Sequence, residues 1–353
     1  MTRPVEVSWF AALCDDDYTQ LGVVDPDLGS SWEHCSSIVR AAEAGGFDNI
    51  LLPSGYDLGI DTVSFAAAIA PDVARMRLLV AVRCGEMWVP QLARQLASID
   101  AMLGGRLTVN IISSDMPGES LESPARYRRT AETMVALRTL LSGRRLDLDG
   151  EFISLHIDPP ALLRGERMPP PFYFGGLSEE ARDVAAEHAD VYLMWPDTED
   201  HIADLITDMR RRAALHGRTL RFGYRAHVVV RDTDTDARAA AEHLVAALDD
   251  EVGAAIRARS LDSASTGVRR QAELRETASD DGYVEPHLWT GIGRARSGCG
   301  AAIVGTPRQV ADKLVRYRDM GIEAFILSGY PHRDEARRVA DTVLPLIEHS
   351  ALR

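Results

Sequence analysis

Lysine is almost missing from this chain. Lys313 is the single lysine among 353 residues, so the rest of the cationic charge is arginine. The bias reads mainly as genome composition. Basic residues are also outnumbered, 39 against 53, for a net charge of −14. That balance argues against a nucleic-acid or anionic-membrane partner, although one basic pocket inside an acidic protein is compatible with it. The four cysteines, Cys14, Cys35, Cys84 and Cys299, are widely spaced with no CxxC pair. This excludes a zinc-finger or disulfide framework and suits a reducing, cytoplasmic setting. No apolar run has membrane-spanning length, and the opening MTRPVEVSWF lacks the apolar core of a signal peptide. No GxGxxG follows an early strand; Ser54-Gly55-Tyr56 stands there instead. With no HxH or paired carboxylates expected at strand ends, a metal-dependent hydrolase is discounted and no metal site is expected.

What remains is a 46% hydrophobic chain that can bury a large core, read as a single domain over 1–353. Short apolar strands alternate with amphipathic helices. The strands fall at Pro4–Leu13, Asp48–Pro53, Met76–Arg83, Leu107–Ile112, Phe172–Gly175, Val191–Trp195, Arg221–Arg231 and Ala324–Leu327. The helices between them include Trp32–Gly45, Val89–Leu103, Pro124–Leu141, Glu199–His216 and a long Thr233–Asp250. Arg144–Ile157 reads as an inserted hairpin turning at Asp149-Gly150. Eight strand–helix units predict an α/β TIM (β/α)₈ barrel with insertion segments, an open doubly wound sheet being the rival. The polar stretch 257–284 lacks a clean period and is either a mobile lid over the site or a solvated insertion.

The seventh strand, RFGYRAHVVVR, holds the clearest chemical signal. Arg225 and His227 are two positions apart, so a cation and an imidazole leave the same face of an apolar strand. Burying such groups costs roughly 2 kcal/mol or more unless they are paired or used in chemistry. Taken alone, the pair is more often a structural hydrogen-bonding couple. A second signal is Phe174-Gly175-Gly176-Leu177-Ser178, which ends a strand and opens a helix. Free N–H groups and the helix dipole suit an anion there, with Gly175 and Gly176 allowing close approach. Ser178 also reads as a plain N-cap. Trp9, Cys14 and Trp195 are candidate walls of the pocket, though tryptophans are more often core. No cation flanks Cys14 in sequence to activate it as a nucleophile.

Taken together, Trp9-Phe10, Pro90…Ala93-Arg94…Asp100…Gly105-Arg106, Tyr173 to Ser178, Gly223 to His227, Leu288-Trp289 through Arg296, and Leu327 to His332 resemble the bacterial-luciferase-like flavin monooxygenases. Within that superfamily the pattern is most similar to the alkanesulfonate monooxygenases. The resemblance implies a TIM barrel that takes reduced FMN from a separate NAD(P)H:FMN reductase, uses O2 and assembles as a dimer or tetramer. It places Arg225, His227, Arg296, Tyr330 and His332 around flavin and sulfonate, and Tyr127 near the FMN phosphate. Ser113 and Ser114, at the end of the fourth strand, are candidates for the ribityl chain. In such a site Arg225 and Arg296 would hold anionic oxygen, and His227, His332 and Tyr330 would manage protons. The sequence departs from the family at two places: Cys14 stands near the first-strand histidine, and Leu58–Gly59 near a cysteine. The substrate therefore stays open between an alkanesulfonate, a sulfone and a non-sulfur compound. A deazaflavin-dependent oxidoreductase and a non-catalytic anion-binding barrel are the alternatives.

Overall fold

A computed structural model describes residues 4–56, 59–116, 118–119, 121–165, 167–258, 265–296 and 298–352. Its strands are β1 (Glu6–Phe10), β2 (Asn49–Leu52), β3 (Arg77–Arg83), β4 (Leu107–Ile112), β5 (Leu146–Asp149), β6 (Ser154–Ile157), β7 (Phe172–Phe174), β8 (Val191–Met194), β9 (Arg221–Val230), β10 (Tyr283–Glu285), β11 (Leu288–Trp289), β12 (Ala302–Gly305) and β13 (Ala324–Ser328). The helices are α1 (Trp32–Gly45), α2 (Thr62–Ile69), α3 (Val89–Met102), α4 (Ser123–Leu141), α5 (Glu179–His188), α6 (Glu199–Leu215), α7 (Asp234–Val245), α8 (Asp250–Ala258), α9 (Thr266–Glu276), α10 (Pro307–Met320) and α11 (His332–Thr342).

Eight parallel strands close into a ring in the order β1-β2-β3-β4-β7-β8-β9-β13, the TIM barrel expected from the eight strand–helix repeats. Strand parity divides two cores. Phe10, Leu51, Leu79, Ala81, Tyr173, Val191, Ala324 and Ile326 fill the inside of the ring. Their alternating neighbours, such as Val7, Val80, Phe172 and Phe325, pack outward under the helices. At the floor of the ring the buried Glu6 accepts from the Tyr173 hydroxyl at 2.7 Å, from Asn49 at 3.2 Å and from the Leu352 N–H at 3.0 Å. Burial raises its carboxyl even so.

β9 is the longest strand and has three neighbours. Its first residues pair with β8, Gly223–His227 pair with β13, and His227–Val230 turn away to pair with β12 outside the ring. β12 was not expected, being only four residues long and ending in glycine. The long helix expected over 233–250 stops at Val245, and a separate helix, α8, begins at Asp250. Asp249 accepts the Val252 N–H at 2.7 Å and starts α8 afresh.

In the expected lid, residues 259–264 lie outside those described. The rest is more regular than its polarity suggests. α9 buries only Gly267, Gln271 and Leu274, a stripe too poor in apolar residues to show a helical period. It is fastened to the barrel instead by polar groups. Arg270 bonds Asp197 at 2.7 and 2.8 Å, and Gln271 donates to the Pro196 carbonyl at 2.7 Å.

The single lysine has a place in this arrangement. Buried Lys313 on α10 bonds Glu199 at 2.6 Å and Glu285 at 2.7 Å, with the Tyr317 ring 5.2 Å away. It ties β10 to the start of α6. Lys313→Met leaves two partly buried carboxylates facing each other and is expected to cost about 3 kcal/mol, as breaking a buried ion pair does. Equilibrium urea unfolding measures this directly. A loss under about 0.5 kcal/mol, the range of an ordinary surface change, would contradict the anchoring role.

Candidate active site

Inward parity on β9 delivers Arg225 and His227 to the C-terminal mouth of the ring, in register with Ile326 and Ser328 of β13. Both are buried. The Arg225 guanidinium lies 4.5 Å from the centroid of the Phe10 ring and donates to the Ala226 carbonyl at 2.9 Å. Among the described residues no carboxylate is within ion-pair distance of it. His227 Nδ1 shares a 2.7 Å hydrogen bond with the Ser328 hydroxyl, while Nε2 is buried without a partner. Burial, and then the charges of Arg225 and Arg296, push this imidazole well below its ordinary pKa, so it is neutral at pH 7.

The segment after β13 supplies Tyr330 and His332. The Tyr330 ring stacks on His227 at 5.3 Å and meets His332 edge-on at 4.8 Å. Its hydroxyl has no partner among the described residues. Burial raises its pKa, with the two arginines opposing, and it is a phenol at neutral pH. His332 opens α11. The Asp17 carboxylate accepts both its backbone N–H, at 3.0 and 3.2 Å, and its Nδ1, at 2.9 Å. His34 Nε2 reaches the same carboxylate at 2.9 Å. Burial works against ionising Asp17, but the charge and bonds of His332 and the bond of His34 outweigh it, and its carboxyl lies well below the usual range. The positive end of α11 favours the same charge. His332 Nε2 is left without a partner.

Arg296, in the loop after β11, pairs with Asp16 at 2.9 Å. It acts electrostatically on Arg225, Tyr330 and His227. The five residues singled out as catalytic therefore converge. Cys14 belongs to the same neighbourhood: burial and the Asp16 carboxylate push its thiol up to about 12, so it is no thiolate at pH 7. Of Leu58–Gly59, Leu58 lies outside the described residues. A Cβ on Gly59 would fall 1.6 Å from the Leu13 carbonyl oxygen, so backbone replaces any side chain there.

A second group forms a cradle on β7 and α5. Ser178 caps α5 by accepting the Ala181 N–H at 3.2 Å. Gly176 has φ +151°, and a Cβ there would come within 2.6 Å of the Ala181 Cβ and 3.6 Å of the Tyr127 hydroxyl. A Cβ on Gly175 would fall 2.1 Å from the Leu193 carbonyl oxygen. The glycines thus let the strand end pack closely on β8 and α5, leaving a helix N-terminus beside the Tyr127 hydroxyl, a setting that fits an anionic group such as a flavin phosphate. Ser113 and Ser114 end the adjoining β4; Ser113 accepts from Thr130 at 2.8 Å, and Ser114 is buried.

Two readings need correction. Trp9 does not line the mouth. Odd parity on β1 sends it outward, where it packs on Phe47 at 5.2 Å and donates to the His332 carbonyl at 3.1 Å; Phe10 takes the inward place. And carboxylates do gather after β1, contrary to the expectation for the strand ends: Asp16 and Asp17 of the run Asp15-Asp16-Asp17 stand there. Each is engaged by a cationic or imidazole partner. Trp195 is half-buried, with Gly267 of α9 and Gly298 so close to its ring that a Cβ on either would lie 2.8 and 3.0 Å away.

The family model for luciferase-like monooxygenases matches residues 6–324. The chain is 61% identical over 354 residues to a sulfoquinovose monooxygenase of Novosphingobium aromaticivorans, covering 98% of each. It is 53% identical to a sulfoquinovose monooxygenase of Agrobacterium fabrum, covering 98% of this chain and 91% of that protein. Among solved structures, a riboflavin lyase with modified FMN and riboflavin superposes with a TM-score of 0.80 at 16% identity, over 99% of this chain and 94% of that one; this likeness is one of fold.

The depressed His227 pKa has a measurable sign. The unfolded chain takes up a proton near pH 6.5, and the folded chain does not, so this residue's contribution to stability is present above 6.5 and lost as pH falls. From pH 7 to 5 a His227→Asn variant is expected to lose about 2 kcal/mol less than the natural chain. Parallel urea denaturation curves at the two pH values decide it; equal losses would show that His227 is charged in the folded protein.

Proposed function

The chain belongs to the luciferase-like monooxygenase family, and on that premise we propose that it is the oxygenating component of a two-component system acting on a sugar sulfonate, sulfoquinovose. The substrate rests on the two relatives named for that compound and replaces the simple alkanesulfonate expected at first. Reduced FMN, delivered by a separate NAD(P)H:FMN reductase, would supply the electrons that activate O2. The overall change is oxidation of the carbon bearing sulfur to an aldehyde, with sulfite and water leaving.

The chain's own residues suit that change. The glycine cradle at the start of α5, with Tyr127, would take the FMN phosphate. Arg296 is paired with Asp16 and Arg225 with no carboxylate among the described residues, so an arriving sulfonate or anionic oxygen fills a charge deficit at Arg225. That deficit is the observation carrying the proposal. Forked guanidinium donors bind such oxygens at two points. Neutral His227 can accept a proton at Nε2, and the Tyr330 phenol can donate one to an oxyanion. Asp17 holds His332 in one orientation. Trp195 beneath α9 helps to exclude water, which strengthens each of these contacts.

The test is oxygen uptake and sulfite release from sulfoquinovose with chemically reduced FMN, alongside a series of plain alkanesulfonates. Sulfite is expected from the sugar sulfonate at the higher kcat/KM. Arg225→Met and Arg296→Met should each lower that value by about 10²- to 10³-fold, the usual loss of a preorganised anion donor. Oxygen uptake without sulfite from any sulfonate would remove the substrate assignment. Unchanged kcat/KM in both arginine variants would remove the role of the mouth.

A further inference from the structure

A large cavity, about 810 Å³, opens at the opposite end of the barrel, and the mouth's chemistry does not use it. Its wall is built from residues at or just before the strand starts: Arg77 of β3, Leu107 of β4, Pro169–Pro171 before β7, Asp190 before β8 and Arg221 of β9, with Leu352 at the inner edge. The size is that of a small-molecule pocket. Chemistry in this fold lies at the other face, so an occupant here would be bound rather than turned over.

The wall runs against the charge of the rest of the molecule. In a protein of net charge −14, five arginines line this cavity, Arg77, Arg138, Arg144, Arg167 and Arg221, with two aspartates, Asp100 and Asp190. Both aspartates are taken: Asp100 by Arg167 at 2.5 Å and Asp190 by Arg138 at 2.9 Å. Among the described residues Arg77 and Arg144 have no carboxylate within ion-pair distance; Arg144 bonds only the Ser142 hydroxyl, through Nε at 3.0 Å. Glu6 lies a layer deeper, raised by burial and held by Tyr173, Asn49 and Leu352. The three successive prolines of the rim offer no N–H donors. Donors in this cavity are therefore mainly guanidiniums, whose planar forks match tetrahedral oxyanions.

We propose that this basal cavity is a binding site for a tetrahedral oxyanion, either free phosphate or sulfate or the phosphate group of a small ester. Arg77 and Arg144 are its principal ligands. The site is separate from the mouth: Arg221 starts the strand that carries Arg225 and His227 toward the other end.

Thermal unfolding of the flavin-free protein tests this with inorganic phosphate, sulfate and chloride at matched ionic strength. A ligand that binds only the folded state raises the melting temperature with its concentration. Phosphate or sulfate in the low millimolar range should raise it, and chloride should not. A response to both oxyanions or to either one supports the site, and glucose 6-phosphate then separates an ester from the free ion. Arg144 is exposed, so Arg144→Gln should fold normally and need at least about tenfold more phosphate for the same shift, a change of about 1.4 kcal/mol. The Arg77→Gln/Arg144→Gln double variant should lose the response, and Arg296→Met at the mouth should keep it. An equal response to chloride, an unaltered response in Arg144→Gln, or loss in Arg296→Met alone would overturn the proposal, and none of these outcomes bears on monooxygenation.

Discussion

A guanidinium removed from water without a matching carboxylate is the constraint on which the mouth of this barrel depends. Arg225 has one carbonyl and the face of Phe10 for company. A cation so placed is costly by several kcal/mol in an apolar setting. Burial, more than its field, fixes the state of the groups around it. His227 is driven neutral, and the Cys299 thiol stays protonated because burial exceeds the help it receives from the two arginines. The site is consequently a preorganised positive socket whose acid–base groups are already set for an anion.

Holding such a socket together requires rigid supports, and the carboxylate of Asp17 is the principal one. It is bound at once by His34 on α1, by His332 Nδ1 and by the first N–H of α11. One charge thereby joins the loop after β1 to the helix after β13, across the seam where the chain's first and last barrel strands pair. The loop that carries Asp17 also carries Asp16, the partner of Arg296. Displacing it would move the second arginine and His332 together. The supports of the mouth are thus polar contacts at strand ends, whereas the ring itself is held by apolar layers.

How much of this could be read from the chain follows from which signals are local. Alternation along Arg221–Val230 is a two-residue rule, and it placed Arg225 and His227 on one inner face correctly. The eight barrel strands were visible because each is a compact apolar run. Other features depend on partners distant in sequence. Trp9 and Phe10 are adjacent aromatics, and only the register of β1 with β2 and β13 says which one enters the ring. The packed face of α9 carries glycine and glutamine, since its contacts with Pro196, Asp197 and Gly300 are polar; a search for apolar periodicity passes over it. Nothing local to Asp16 and Asp17 shows their partners, an arginine and a histidine roughly 280 and 315 positions away in sequence.

The single lysine and the many arginines then take on a structural meaning beyond genome composition. An ammonium is a compact charge that two carboxylates can enclose, and Lys313 is used that way between Glu199 and Glu285. Arginine cannot collapse so tightly, but its planar fork reaches an anion while lying against an aromatic ring. That is the posture of Arg225 over Phe10. The same side chain type lines both ends of the barrel, in the mouth beside Asp16 and at the floor beside Asp100 and Asp190. In each place at least one guanidinium, Arg225 in the mouth and Arg77 at the floor, has no carboxylate within ion-pair distance among the described residues. A guanidinium left without a carboxylate in a concave place, as Arg225 is in the mouth and Arg77 at the floor, leaves room for an anion to complete the pair.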